Sequence, residues 1–211
     1  MQHVDEAATG DIADLETCGR MLDGVEAMVL CHMAPNPSGY ETPTLAVDVN
    51  VKGTANLYHA AVGRKLSRVV LISSTAVLLN GADTAVPGDG PYGYGNRREK
   101  MGLYALTKVF QESLARWNWE THHIPTAILR PSHIVYDGEM VTKYGKKVER
   151  YSPNLIDPRD IGLAVAKALD LKDLGLESFN IGQEGAKFDL STAHNRLQWR
   201  PQYRFEALKK N

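Results

Sequence analysis

Tyr104 and Lys108 stand four residues apart in Tyr104-Ala105-Leu106-Thr107-Lys108, and on a helix residues at i and i+4 share one face, a turn apart. A tyrosine phenol ordinarily titrates at about 10, and an ammonium beside it stabilises the phenolate and lowers that value. Such a pair is a usable general acid and base near neutrality. Spacing alone does not separate it from a solvated helix face. Context does more. Ser73-Ser74-Thr75 follows directly on the apolar run RVVLI at 68–72, and open α/β sheets bind ligands beyond the carboxyl ends of their strands. A hydroxyl there can hydrogen-bond the substrate oxygen that the tyrosine protonates or deprotonates. The plainer reading of the same three residues is a Ser/Thr turn that closes a strand.

These side chains need elements to position them. Short β-branched runs alternate with helical stretches, the pattern of a parallel α/β sheet. Residues 13–22 read as an amphipathic helix and 27–31 (AMVLC) as a strand covered on both faces. A long helix is expected over 43–62, with Leu45, Val49, Leu57 and Ala61 buried, then a strand over 68–72. The helix over 101–120 carries Leu103, Leu106, Phe110, Leu114 and Trp117 at core spacing. Tyr104 and Lys108 lie about 100° around from that stripe, free to face a cleft. A strand follows at 126–129. Asp157-Pro158 then opens a helix as N-cap and first residue, with Asp160 near the positive end of the dipole and Ile161, Val165, Ala168 and Leu169 buried. A short strand at 179–181, a small helix and a turn at Trp199-Arg200-Pro201 within 189–211 complete the chain. Residues 78–100 and 137–157 read as irregular, and loops of that length in a compact domain are usually functional.

The 211 residues, 43% of them hydrophobic, suit one domain with a single core. A formal net charge of −1 favours neither nucleic acid nor an anionic membrane. The charge is uneven: residues 1–63 hold nine acids and two bases, the remainder sixteen acids and twenty-two bases. That could draw an anionic ligand to the C-terminal part, or reflect helix faces that simply differ. Two cysteines, Cys18 and Cys31, make neither a disulfide framework nor a metal cluster, and scattered histidines give no metal-ligand spacing. No run nears the ~20 apolar residues needed to cross a bilayer, and the N-terminus has no signal-peptide pattern. The expectation is a cytoplasmic protein without metal, nucleic acid or membrane as partner.

Read in order, Gly10-Asp11-Ile12, VEAMVLCHMA at 25–34, NVKGTANL at 50–57, VVLISSTAV at 69–77, Tyr104 to Lys108, Leu129-Arg130-Pro131, Ile156 to Asp160 and Leu197-Gln198-Trp199-Arg200-Pro201 resemble consecutive landmarks of the extended short-chain dehydrogenase/reductases, the NAD-dependent epimerase/dehydratase family. The resemblance implies a Rossmann-like parallel sheet with flanking helices, and NAD or NADP as cofactor. It implies Tyr104 as the acid/base, with Lys108 lowering its pKa and holding the nicotinamide ribose. Ser74 would orient the substrate oxygen, with Thr75 as second candidate. Asp11 and Ile12 would meet the adenine, Met33, Ala34 and Pro35 would line the dinucleotide, and Pro131 to His133 would cover the nicotinamide. Asn50 matches an asparagine of the helix after the family's fourth strand. The two long helices would pair with their copies in a homodimer, leaving Arg116 and Trp117 at the partner.

The chain departs from the family where Val77-Leu78-Leu79 replaces Val-Tyr-Gly. The resemblance also begins at the family's third strand, without the first strand–helix–strand unit and its Gly-rich turn, which implies weakened dinucleotide binding. Strand 27–31 would then have an open edge and residues 2–9 no neighbour. Gly88 to Gly93 matches G-x-G-x-x-G, but it follows no strand and contains Pro91, so it reads as a loop. Lys143, Lys146, Lys147 and Arg150 form a basic stretch that could contact a carboxylate or phosphate, or be plain solvated loop. The expected whole is one incomplete dinucleotide-binding domain over 1–211, its small substrate part made of 137–157 and 182–211. The implied activity is NAD(P)-dependent oxidoreduction of a secondary alcohol or ketone on a small sugar or sugar acid, as in uronate-dehydrogenase-like members. The alternatives are a nucleotide-sugar epimerase or dehydratase, and a truncated, non-catalytic binding or dimerisation module.

Overall fold

The computed structural model describes residues 5–35, 40–64, 66–78, 102–142 and 144–209; the expected loop at Gly88 to Gly93 and the basic Lys143 fall outside them. Four strands form the main sheet in the order β1-β2-β3-β7, all parallel: β1 (Ala27–Leu30), β2 (Arg68–Ile72), β3 (Thr126–Pro131) and β7 (Leu176–Ile181). The reason is in the side chains. Val69 and Leu71 enter the core on one face and Val70 on the other, so β2 is apolar without alternation, as a strand covered on both sides must be. Helices α1 (Leu15–Met21), α3 (Gly53–Ala61) and α4 (Leu103–His122) cover the first face; α5 (Pro158–Leu169) and α6 (Ser191–Asn195) cover the second. Residues 5–10 carry no strand, and β1 pairs on one side only among the described residues.

Local chemistry sets the helix starts. Asp14 caps α1, its carboxylate accepting from the N–H groups of Glu16 and Thr17. Asp157 caps α5, with Pro158 in the first turn as expected. The helix expected over 43–62 is three pieces: α2 (Pro43–Ala46), a wide π turn over Val47–Lys52, and α3. The wide turn brings Asn50 inward, fully buried, and single π turns inside helices commonly sit at functional sites. Leu45, expected in the core, is exposed. At Gly53 an added Cβ would lie 2.7 Å from Ile12 Cγ2, so the glycine lets α3 close onto the segment after residue 10.

The stripe expected to bury α4 is corrected by the structure. Phe110 is 41% and Trp117 52% exposed. The helix instead turns a largely polar face inward: Thr107, Lys108, Gln111, Glu112 and Asn118, with Ala105, Val109 and Ala115 between them. The stretch 137–157 is less irregular than its sequence suggests. It contributes β5 (Val141–Thr142) and β6 (Leu155–Ile156), which flank β4 (His133–Tyr136) in a small sheet ordered β5-β4-β6. The C-terminal segment, ending in α7 (Glu206–Lys209), is latched beneath it. Asp160 accepts from the N–H groups of Gln202 and Tyr203 (2.8 and 3.1 Å), and Asp137 accepts from that of Phe205 (3.2 Å). The buried Trp199 indole donates to the Asp160 carbonyl (2.9 Å).

Candidate active site

The carboxyl ends of β1, β2 and β3 open into one cleft of about 880 Å³. Tyr104 enters it from the first turn of α4 and Lys108 from the next. Ser74, just past the end of β2, lines the same cleft, and its hydroxyl acts on the Tyr104 phenol to lower its pKa. Lys108 is 3% exposed, and its Nζ donates to the carbonyl of Ile72 (2.9 Å), the last residue of β2. The helix that carries the phenol is thus tied to the strand that carries the hydroxyl.

The two consecutive serines divide their work. Ser73 turns inward and donates to the Glu112 carboxylate. Glu112 in turn accepts two bonds from Arg130 on β3, Nε at 2.9 Å and a terminal nitrogen at 2.6 Å. All three residues are buried. A bidentate Arg–carboxylate pair of this kind is directional, and here it fixes α4 against the ends of β2 and β3. Thr75 donates weakly to the Pro131 carbonyl at 3.4 Å.

The expectation that Lys108 leaves Tyr104 with a lowered pKa does not hold in this structure. Burial pushes the phenol up, the Ser74 hydrogen bond pulls it partly back, and Tyr40 and Tyr144 add further upward push. The phenol therefore keeps its proton at neutral pH and stands as a donor. Tyr40 meets it edge-on, ring centroids 5.4 Å apart, and its own hydroxyl accepts from Asn50 Nδ2 at 3.0 Å. Asn50 also donates to Thr107 Oγ1 (2.8 Å) and accepts from the Ala34 N–H (2.8 Å), joining the turn after β1 to α4. His32 lies behind Lys108 within bonding distance of Thr54 Oγ1 (2.9 Å) and Gln111 Nε2 (3.2 Å). Burial first, and the Lys108 charge second, depress its pKa to about 4.

Of the residues singled out in sequence, Ser74, Thr75, Tyr104, Lys108, Met33, Pro131 and His133 line this cleft. Ala34 is buried and Pro35 exposed beside it. Asp11 is exposed, its carboxylate accepting from the Ala13 N–H, and Ile12 packs against Gly53. Lys146, Lys147 and Arg150 are exposed and do not line the cleft. Sequence reasoning missed Tyr40, His32, Glu112 and Asn154. Glu112 had a signal: it repeats the four-residue step from Lys108, on a helix facing a strand that holds Arg130. Tyr40 had none, being set by loop geometry.

A profile of the NAD dependent epimerase/dehydratase family matches residues 2–176. The 3 beta-hydroxysteroid dehydrogenase/Delta 5-->4-isomerase of Mycobacterium tuberculosis is 31% identical over 139 residues, 64% of this chain and 37% of that protein. The L-arabinose 1-dehydrogenase (NAD(P)(+)) of Haloferax volcanii is 25% identical over 170 residues, 76% of this chain and 66% of that protein. The chain therefore spans little more than a third of the steroid enzyme's length. Among solved structures, a short-chain dehydrogenase/reductase superfamily protein from Agrobacterium tumefaciens with bound NAD superposes with a TM-score of 0.74 at 17% identity, covering 95% of this chain and 82% of that one. A uronate dehydrogenase from the same organism, complexed with NAD, gives 0.70 at 19% identity over 99% and 76%. At those identities the likeness is one of fold.

Proposed function

The chain belongs to the NAD dependent epimerase/dehydratase family, and from that membership we propose that it is an NAD(P)-dependent oxidoreductase of a secondary alcohol or ketone on a small sugar or sugar acid. One observation carries the reading: Ser74, Tyr104 and Lys108 line one cleft at the carboxyl ends of the parallel strands. The similarity to an L-arabinose 1-dehydrogenase and to uronate dehydrogenases supports the substrate class.

The residues present fit the nicotinamide end of the cofactor. Lys108 and Tyr104 would hold its ribose, with Met33, Pro131 and His133 lining the ring, since all five reach the same cleft. Ala34 and Pro35 would shape the turn beside the dinucleotide, and Asn50, whose amide is taken up within the protein, would act through Ala34. Asp11 and Ile12 would meet the adenine. The nicotinamide, when bound, supplies the two-electron chemistry at the substrate carbon. In oxidation Tyr104, once it has lost its own proton, would accept the proton of the substrate hydroxyl at Oη as a phenolate, while Ser74 holds that oxygen. In reduction the protonated phenol would donate its proton to the carbonyl oxygen.

Tyr104→Phe should lower turnover by about 10²–10⁴-fold while the protein still binds NADH, read by its fluorescence. A Phe variant that keeps half the wild-type rate overturns the assignment. Net accumulation of NADH from NAD and a free sugar separates this activity from an epimerase, which returns its cofactor unchanged.

The same proposal includes a homodimer in the cytoplasm. No described helix is long and apolar enough to cross a membrane, and both cysteines are unpaired. Phe110 and Trp117 on α4 and Leu45 and Val47 at the start of the neighbouring helix are exposed large hydrophobics, a composition suited to a partner's surface.

A further inference from the structure

The basic balance of residues 64–211, twenty-two bases against sixteen acids, has a counterpart in the cleft. Among the described residues no aspartate or glutamate lines it, whereas Lys108 and Lys187 do. Lys108 donates to the Ile72 carbonyl. Lys187 is exposed, in the loop that follows β7. That loop is pinned on both sides of it. The Gln183 side chain donates to the Tyr203 carbonyl (2.8 Å), the Ala186 N–H to the Gln183 carbonyl (3.1 Å) and Asn180 Nδ2 to the Asp189 carbonyl (2.8 Å). Phe188 is buried against Gly182. The flanking acids are engaged elsewhere, Glu184 with Arg200 (3.0 Å) and Asp189 with the Ser191 hydroxyl (2.7 Å). Lys187 joins no ion pair among the described residues.

Strand order decides which end of a bound ligand meets this ammonium. The sheet runs β1-β2-β3-β7, with Pro131 opposite Ile181. Met33, on the dinucleotide side, follows β1; Ser74 follows β2; Lys187 follows β7. Neighbouring strands lie about 4.8 Å apart, so the loop after β7 starts about 14 Å from the dinucleotide side and about 10 Å from Ser74. The shorter span is one that a single sugar ring and an extended lysine side chain fill together. We infer that Lys187 holds the carboxylate of a sugar acid and so selects a uronic acid over the corresponding neutral sugar. This deepens the function proposed above and rests on it. Glucuronate and glucose differ only at C-6, a carboxylate in one and a hydroxymethyl in the other. The carboxylate receives a charge-assisted hydrogen bond from the ammonium and the hydroxymethyl does not. A cleft wall without acids of its own adds no repulsion against the anion.

Calorimetric titration of glucuronate and of glucose into the purified chain with NADH present tests it, since the reduced cofactor leaves the sugar unoxidised. The wild-type protein should bind glucuronate more tightly than glucose, and added salt should erode the difference. Lys187→Gln should weaken glucuronate by about three- to tenfold and leave both glucose and NADH binding, the latter read by fluorescence, unchanged. Lys187→Arg, which keeps the charge, should keep the preference. Equal affinity of the wild type for the two sugars, or glucuronate binding that Lys187→Gln leaves unaltered, makes Lys187 a solvated surface lysine and overturns the subsite. Weaker NADH binding in Lys187→Gln, with both sugars affected alike, gives the ammonium to a cofactor phosphate and overturns it as well. A wild-type chain that binds neither sugar removes the subsite and the proposed function together. Glucuronate that binds through Lys187 but yields no NADH from NAD removes the oxidoreductase reading and leaves the carboxylate site standing.

Discussion

At the scale of single residues the site is governed by burial more than by charge pairing. Tyr104 is pushed up chiefly by desolvation although Lys108 is one turn away. His32 shows the same physics with the opposite sign. Burial keeps its imidazole neutral in the folded protein down to about pH 4, whereas an unfolded histidine takes its proton near 6.5. The unfolded chain therefore binds the extra proton between those values, and stability rises with pH across them. The contribution is complete above about 6.5 and is lost as the pH falls towards 4. Urea unfolding midpoints between pH 4 and 7 should climb for the wild-type protein and climb less steeply for His32→Gln. Equal slopes for the two proteins would show that His32 titrates like an exposed histidine.

Elements carry the next set of constraints. Gly53 begins α3, where alanine would ordinarily favour the helix by roughly 0.5–1 kcal/mol. Here the added methyl meets Ile12 Cγ2 at 2.7 Å, so Gly53→Ala should lower the melting temperature instead. Removing both opposing γ carbons relieves the contact, so Gly53→Ala should cost less in an Ile12→Ala background than in the wild type, and thermal unfolding of the wild type, the two single variants and the double variant checks it. The strands were legible from sequence because their apolar runs have one meaning in a parallel sheet: 68–72 stands as read, and 27–31, 126–129 and 179–181 differ only at their ends. The start of α5 was legible too, since Asp157-Pro158 has a specific stereochemistry. The faces of α4 were not. Apolar periodicity assigns the core to Phe110 and Trp117, but the buried side is built from polar groups that satisfy one another across elements, Ser73 with Glu112 and Glu112 with Arg130. Hydrophobic spacing is blind to such a match. The wide turn around Asn50 and the small β5-β4-β6 sheet escaped for a related reason: both depend on partners distant in sequence.

For the molecule as a whole, the displaced stripe of α4 is informative. An apolar face that leaves the core must be solvated or covered, and Phe110, Trp117, Leu45 and Val47 together suit covering by a second copy. Sedimentation equilibrium at micromolar concentration should give twice the monomer mass, and the double variant Phe110→Glu, Trp117→Glu should give a folded monomer. A wild-type monomer would remove the dimer from the proposal. The latch on α5 bears on the order in which the protein is made. The Asp160 carboxylate accepts from the N–H groups of Gln202 and Tyr203, the Asp160 carbonyl from the Trp199 indole, and the Asp137 carboxylate from the N–H of Phe205. During synthesis, where the N-terminal parts of a chain fold first, the main sheet can close as soon as β7 has left the ribosome. The contacts that residues 199–205 make with Asp137 and Asp160 form only after that. A nascent chain stalled before Trp199 would thus have its main sheet closed while the start of α5 still lacked the partners of Asp160, so the two layers of the fold mature in sequence during synthesis.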